Sequence, residues 1–263
     1  MIPSMTRTSR LLFALFVFTG CALSGTLIEP TGVDWNLGES LWLNISGTPQ
    51  DLYFAGPIFI TLTQDGQQFD RDTMCADLFT DIYIGVTYDT AVVDPADAPG
   101  TDLGQASWLI DNALLPAQGP AYTSALPDSD WVESPAQGAG LQLAIWDLTA
   151  DGGDGFFSGS VQASTISGEV TDPAALAWAE TYEALSAGMT TNDAYVYENT
   201  AQGTGALAQM LVGPMFSDGG PTPTPSDPPP VPEPATYISA GIALIGLGWC
   251  GRRLAGQSVT SRR

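Results

Sequence analysis

"ESPAQGAGLQLAIWDLTA", residues 133–150, begins with the residues that start an α-helix. Ser134 can act as the N-cap, Pro135 suits the first helical position, and Gln137 is the reciprocal partner of a capping box. Apolar residues then recur at helical spacing and predict one buried face: Leu141, Ala144, Ile145 and Leu148. The stretch therefore predicts a helix that packs one face against the rest of the domain.

The residues before this helix have the composition of β-strands. Residues 40–46 alternate apolar and polar side chains, and residues 51–63 are rich in β-branched and aromatic residues. The sequence "QDGQ" at 64–67 contains an Asp-Gly pair, which is typical of a hairpin turn. Residues 68–79 and 81–93 continue the pattern, so we expect β structure up to residue 93.

Two further helices are predicted. Residues 101–115 place Asp102 before a helical period and Gln105 three residues later, which resembles a capping box. Residues 171–187 have the same kind of start, with Asp172 followed by a proline at the first helical position.

Closing strands are predicted at 192–200 and 205–216. The order of strands, then helices, then strands predicts one α+β domain over residues 25–217. We expect a β-sandwich or barrel with a helical insertion.

The N-terminus has the pattern of a secretory signal. Two arginines precede the apolar stretch at 11–25, which is too short for a membrane span. Ala22 and Ser24 suit ordinary cleavage, so residues 1–24 are the predicted signal peptide. The alternative is a lipoprotein signal modified at Cys21.

The C-terminus has three parts. Residues 218–231 form a proline-rich linker that cannot build a packed core. Residues 235–251 carry no charge and reach the lower length limit of a spanning helix. Arginines follow, so the basic tail at 256–263 is expected to stay cytoplasmic. A simple tail anchor is one interpretation.

A more specific interpretation comes from "VPEPATYISAGIALIGLGWCGRRLA", residues 231–255. This segment resembles the PEP-CTERM sorting signal of Gram-negative bacteria, with Pro232, Glu233 and Pro234 as its motif. The resemblance implies a sorting signal with a transmembrane helix over 232–255, recognised and processed by an exosortase. It implies an exported protein of the cell envelope, cell surface or extracellular matrix.

The composition is strongly acidic. The chain has 29 acidic and 7 basic residues, with a net charge of −22, and Arg71 is the single basic residue between the two terminal signals. Such a field disfavours nucleic acid as a partner and suits cations, amines and basic polymers. Net negative charge also serves solubility.

The chain has no histidine and no lysine. Without histidine, Ser-His and Cys-His nucleophile pairs and the usual zinc sites are excluded. No carboxylate spacing marks a pair for glycoside hydrolysis. We therefore expect a protein that is not an enzyme.

Cys75 has no cysteine with which to form a disulfide. Cys21 lies in the predicted signal peptide and Cys250 in the predicted sorting helix. An unpaired thiol in an exported chain indicates a reactive group, although a small buried core residue is the other interpretation.

The pattern around Cys75 resembles the thioester domains of bacterial surface proteins, whose motif is Thr-Gln-x-Ala. "MCADLF" at 74–79 matches the cysteine segment, and "LQLA" at 141–144 matches the glutamine motif with leucine in place of threonine. The resemblance covers roughly residues 74–159. It implies an internal thioester between Cys75 and Gln142.

A thioester survives only where water is excluded until its target arrives. Trp146, four residues after Gln142, is a candidate shield together with Trp108 and Tyr88. For both tryptophans, packing in the core is the favoured interpretation, and it is compatible with shielding. Because the domain has no lysine, it has no side-chain amine that could attack its own thioester.

A second candidate site is "WDLTADGGDGFFSG", residues 146–159. Asp147, Asp151 and Asp154 offer oxygen ligands that suit calcium. The segment lacks the spacing of an EF-hand, and a glycine-rich turn after a helix explains it equally well. Three aspartates are an incomplete ligand set, so calcium is expected to stabilise the domain only modestly, and no other cofactor is expected.

Two functions follow from the sequence. The first is covalent attachment through Cys75 and Gln142 to an amine or hydroxyl group on an extracellular polymer or a neighbouring cell. The second is a non-covalent, acidic structural module of the extracellular matrix, with or without calcium.

Overall fold

The computed structural model describes residues 25–46, 50–114, 124–191 and 194–214. They all belong to one compact unit, residues 1–220. None of the helices in these ranges is long and apolar enough to cross a membrane. Four predicted segments lie outside the described residues: the signal peptide (1–24), the linker (218–231), the sorting signal (232–255) and the basic tail (256–263).

The described chain contains eleven strands and three α-helices. The strands are β1 (Thr26–Val33), β2 (Glu39–Ile45), β3 (Asp51–Ala55), β4 (Ile58–Gln64), β5 (Gln67–Cys75), β6 (Tyr88–Val93), β7 (Val161–Ala163), β8 (Thr165–Ile166), β9 (Glu169–Val170), β10 (Ala194–Ala201) and β11 (Leu207–Pro214). The helices are α1 (Leu103–Leu109), α2 (Pro135–Asp151) and α3 (Pro173–Ser186). A π-helical turn (Ile110–Leu114) continues α1, and a 3-10 turn (Asp128–Asp130) precedes α2.

Six antiparallel strands close into a barrel in the order β1-β4-β5-β11-β10-β6. The three helices lie in the chain between β6 and β10, which confirms the α+β barrel with a helical insertion. Strands β3, β2 and β7 form a separate sheet, and β8 pairs with β9.

The hairpin predicted at "QDGQ" joins β4 to β5. Gln64 pairs with Gln67, and the two residues between them have positive φ: 52° for Asp65 and 78° for Gly66. Two consecutive positive φ values are what a two-residue hairpin turn of the right twist requires. The Asp-Gly pair therefore sets the register of the strand that ends at Cys75.

Helix α2 begins as predicted. Ser134 Oγ accepts a hydrogen bond from the Gln137 backbone N–H at 3.3 Å. The reciprocal bond differs from a capping box, because Gln137 Oε1 accepts from the backbone N–H of Glu133 at 3.2 Å.

The predicted face of α2 is buried, but the helix buries its other faces as well. Every side chain from 137 to 149 is buried. The cause is packing on all sides, since α2 contacts the barrel strand β5, the sheet of β2, β3 and β7, and helices α1 and α3. Gly138 and Gly140 make this possible: a Cβ at Gly138 would overlap the carbonyl oxygen of Leu37, and one at Gly140 would lie 2.7 Å from the carbonyl oxygen of Ala175.

The other two helix starts differ from each other. Asp172 caps α3 as predicted, with Oδ1 accepting from the Ala174 backbone N–H at 2.7 Å. The capping box predicted at Asp102 was wrong: Asp102 has a left-handed φ of 44° and makes no side-chain cap hydrogen bond. Its backbone carbonyl accepts instead from the N–H groups of Gln105 and Ala106.

Three predicted strands are shorter than expected. Residues 51–63 form two strands, because the chain breaks at Gly56 (φ 153°) and at Pro57, which has no N–H to donate. Strand β5 ends at Cys75, and residues 81–87 form no strand, with a turn at 84–85. Strands β1, β7, β8 and β9 were not predicted.

Asp72 of β5 provides a pH-dependent prediction. Burial, and then the neighbouring Asp34, raise its pKa to about 6, although Arg71 opposes this. The native state therefore holds this proton more tightly than the unfolded chain, whose aspartate pKa is about 3.9. The contribution of Asp72 to stability is consequently lost as the pH rises from about 4 through 6.

We expect Asp72→Asn to raise the Tm at pH 7.5 by a few degrees, since ~1 kcal/mol corresponds to ~2–4 °C in a domain of this size. At pH 4 the change should be much smaller, because the aspartate is then already neutral in the native state. Thermal unfolding at the two pH values checks this. An equal change at both would contradict it.

Candidate functional site

Cys75 and Gln142 lie in contact in the interior. Cys75 is the last residue of β5 and pairs with Leu211 of β11, while Gln142 lies in the middle of α2. Gln142 Oε1 accepts a hydrogen bond from the Cys75 backbone N–H at 2.9 Å, and Gln142 Nε2 donates to the Cys75 backbone carbonyl at 2.7 Å. Gln142 is fully buried and Cys75 is 6 % exposed. The carboxamide is therefore fixed against the residue that carries the thiol.

This arrangement has chemical consequences for the carboxamide. A donor on Oε1 polarises the carbonyl and makes its carbon more electrophilic. Burial, and then the charge of Asp77, raise the pKa of the Cys75 thiol. The thiol therefore keeps its proton at neutral pH.

The three candidate shielding residues lie in different places. Trp146 is buried on α2, one turn after Gln142, and its indole N–H has no hydrogen-bond partner among the described residues. Trp108 of α1 is half-buried. Tyr88 lies on β6. In either direction around the barrel, two strands lie between β6 and β5. The Tyr88 hydroxyl accepts a hydrogen bond from the Tyr83 backbone N–H at 2.8 Å.

A pocket of about 330 Å³ begins at Ala76, the residue after Cys75. Its walls come from the segment after β5, from the end of α2 and from strands β10 and β11. Apolar side chains line most of it: Leu78, Phe79, Pro99, Leu207 and Met210. Two carboxylates, Asp77 and Glu198, give it a negative charge. The pocket suits a ligand that combines a cationic group with an apolar part.

A second cluster of side chains forms at the end of α2. The structure brings together the three aspartates that the sequence indicated, Asp147, Asp151 and Asp154, with carboxylate oxygens within 4.8 Å of one another. Asp147 Oδ2 accepts from the Gly155 backbone N–H at 3.0 Å, and Asp151 Oδ2 accepts from that of Ser160.

Sequence reasoning missed a fourth carboxylate, Glu183 of α3. Its carboxyl group lies within hydrogen-bonding reach of Asp147. Burial, and then contact with Asp147, raise the pKa of Glu183 to about 9. No local signal identifies this residue, because its position depends on the packing of α3 against α2.

Comparison with known proteins identifies the C-terminal segment. Residues 230–253 match the family model described as the PEP-CTERM protein-sorting motif. Searches of curated proteins and of solved structures gave no match. The chain therefore carries a PEP-CTERM sorting signal, which implies processing by an exosortase and export to the cell envelope or surface.

Proposed function

We propose that this exported protein attaches covalently to extracellular targets through an internal thioester between Cys75 and Gln142. The observation that carries the proposal is the pair of hydrogen bonds that fixes the Gln142 carboxamide on the Cys75 backbone. The proposed role is attachment rather than catalysis, at the surface or in the extracellular matrix of a Gram-negative bacterium.

The first step forms the thioester. Cys75 Sγ attacks the Gln142 side-chain carbonyl carbon, and the Cys75 backbone N–H stabilises the negative charge that develops on Oε1. The C–N bond breaks, the thiol proton passes to the departing nitrogen, and ammonia leaves.

The second step joins the target. The nitrogen of a target amine attacks the thioester carbonyl, the C–S bond breaks, and the amine proton returns to sulfur. The products are an amide on Gln142 and a free thiol on Cys75. A hydroxyl group would give an ester by the same route.

The pocket next to Cys75 supports an amine as the target. A protonated amine is attracted to Asp77 and Glu198, which lie in the pocket wall. The absence of lysine removes side-chain amines of the chain itself as competitors.

The decisive measurement is the intact mass of the purified full chain under denaturing, non-reducing conditions. We expect a mass lower by one ammonia than the mass calculated for the chain between its observed termini, and no titratable thiol at Cys75. Incubation with methylamine should restore the thiol and add the methylamine to Gln142, as peptide mapping would show.

Cys75→Ala and Gln142→Ala should each abolish the mass loss, whereas Gln105→Ala, a glutamine on α1, should retain it. Full sequence mass with a titratable Cys75 would disprove the covalent mechanism. The non-covalent acidic module would then be the better description of the domain.

A further inference from the structure

We infer that Asp147, Asp151, Asp154 and Glu183 form a calcium site that joins the end of α2 to α3. This inference is independent of the thioester. The three aspartates come from the last turn of α2 and the loop that follows, and Glu183 comes from the last turns of α3.

Several buried carboxylate oxygens of the cluster lack a hydrogen-bond donor in the part of the chain that the structure describes. Asp147 is fully buried, yet its Oδ1 atom has no hydrogen-bond partner among the described residues. The same holds for Asp151 Oδ1 and Glu183 Oε1, which are also withdrawn from solvent. A buried carboxylate oxygen without a donor is costly. The Asp147 and Asp151 carboxylates lie within 4.8 Å of each other, with Glu183 beside Asp147, so these oxygens indicate a missing positive charge.

Within the described residues, no basic side chain is placed to supply that charge. Arg71 is the one basic residue between 25 and 214. It lies on β5, where its guanidinium donates to the Asp70 backbone carbonyl at 2.8 Å and lies 5.5 Å from the centre of the Phe69 ring. A metal ion can neutralise the cluster where the side chains cannot.

The loop after α2 is shaped around the carboxylates. Gly159 has a φ of 72°, and a Cβ there would overlap the carboxylate oxygens of Asp151 and Asp154. The backbone at Gly159 therefore lies against the Asp151 and Asp154 carboxylates and closes one side of the cluster.

The donor set favours calcium over other metals. All the donors are oxygens, which hard cations prefer over the nitrogen and sulfur ligands of zinc or copper. Calcium accepts six to eight oxygens in irregular arrangements, whereas magnesium requires a near-ideal octahedron and keeps several waters. Donors from a helix end, a loop and a second helix suit the more tolerant ion.

The test is a calcium titration of the full chain after treatment with EDTA. Calorimetry should show saturable binding with a Kd below ~10⁻³ M, within the range of extracellular calcium modules. Calcium should also raise the Tm above its value in EDTA, and magnesium at the same concentration should do so much less.

Glu183→Gln provides the sharpest variant, because it keeps the shape and removes one charge. We expect calcium affinity to fall at least tenfold, because glutamine cannot offer a carboxylate to the ion. The Tm in EDTA should stay nearly equal, since the raised pKa of Glu183 already keeps it neutral without calcium. Glu180→Gln, an exposed position one turn earlier on α3, should change the affinity less than twofold.

Asp154→Asn is a second variant, and the exposed position of Asp154 makes loss of folding less of a concern. It too should weaken binding. The inference fails if millimolar calcium gives neither heat nor a change in Tm, or if binding is unchanged in both Glu183→Gln and Asp154→Asn. Equal effects of magnesium would contradict the assignment to calcium.

Discussion

Gly138→Ala is expected to prevent stable folding of the domain. A Cβ at this position would overlap the carbonyl oxygen of Leu37 and lie 3.2 Å from Val132 Cγ1. Because the first obstacle is backbone, relief requires α2 or the turn at Leu37 to move. Overpacking of a core costs typically ~1–3 kcal/mol and more where backbone must shift, against a total stability of ~5–15 kcal/mol.

Helix propensity favours this substitution, whereas the steric overlap opposes it, so a control variant is needed to separate the two effects. Alanine is favoured over glycine inside a helix by ~1 kcal/mol. Gly104→Ala of α1 is the matched control, since its Cβ would meet the Thr190 side chain rather than backbone, at 3.0 Å. Circular dichroism and thermal unfolding should show a folded, little-changed control and a largely unfolded Gly138→Ala. Equal stability of the two variants would contradict the close approach of α2 to Leu37.

Gln142→Met is expected to lower the free energy of unfolding by much more than Cys75→Ala does. Both variants remove one partner of the proposed thioester. Only Gln142→Met also leaves the backbone N–H and carbonyl of Cys75 without the hydrogen bonds at 2.9 and 2.7 Å. Each buried group left unpaired costs ~1–3 kcal/mol, so the excess over Cys75→Ala should be ~2–6 kcal/mol.

Chemical denaturation of both variants measures this difference. Methionine has nearly the volume of glutamine, so the comparison reports hydrogen bonding rather than a cavity. Equal destabilisation by the two variants would show that the Gln142 carboxamide does not hold the Cys75 backbone in the folded protein.

The features that sequence predicted well are those set by neighbours in the chain. The hairpin at Asp65-Gly66 and the start of α2 at Ser134 depend on side chains within a few residues of one another. The capping box wrongly predicted at Asp102 also concerns neighbouring residues. The residue types fit such a box, but the left-handed backbone of Asp102 prevents it.

The features that sequence missed are set by residues far apart in the chain. Apolar periodicity in α2 identifies one buried face, but it does not reveal that Leu37 and α3 cover the others. Three short strands and most of α3 lie between Asp147 and Glu183 in the chain, and only helix packing brings the two residues together. The motifs around Cys75 and Gln142 allowed their pairing to be proposed by resemblance, whereas composition alone could not have selected them.

The strand order also determines when the domain can fold during export. Cys75 ends β5, and its neighbour on one side is Leu211 of β11, the last strand of the barrel. A chain that crosses the membrane from its N-terminus exposes Cys75 and Gln142 well before residues 207–214 emerge. The barrel wall beside Cys75 therefore stays open until nearly the whole domain has been translocated. For a chain exported in this way, the site is completed late, after the unfolded chain has passed and before any reaction that requires the closed interior.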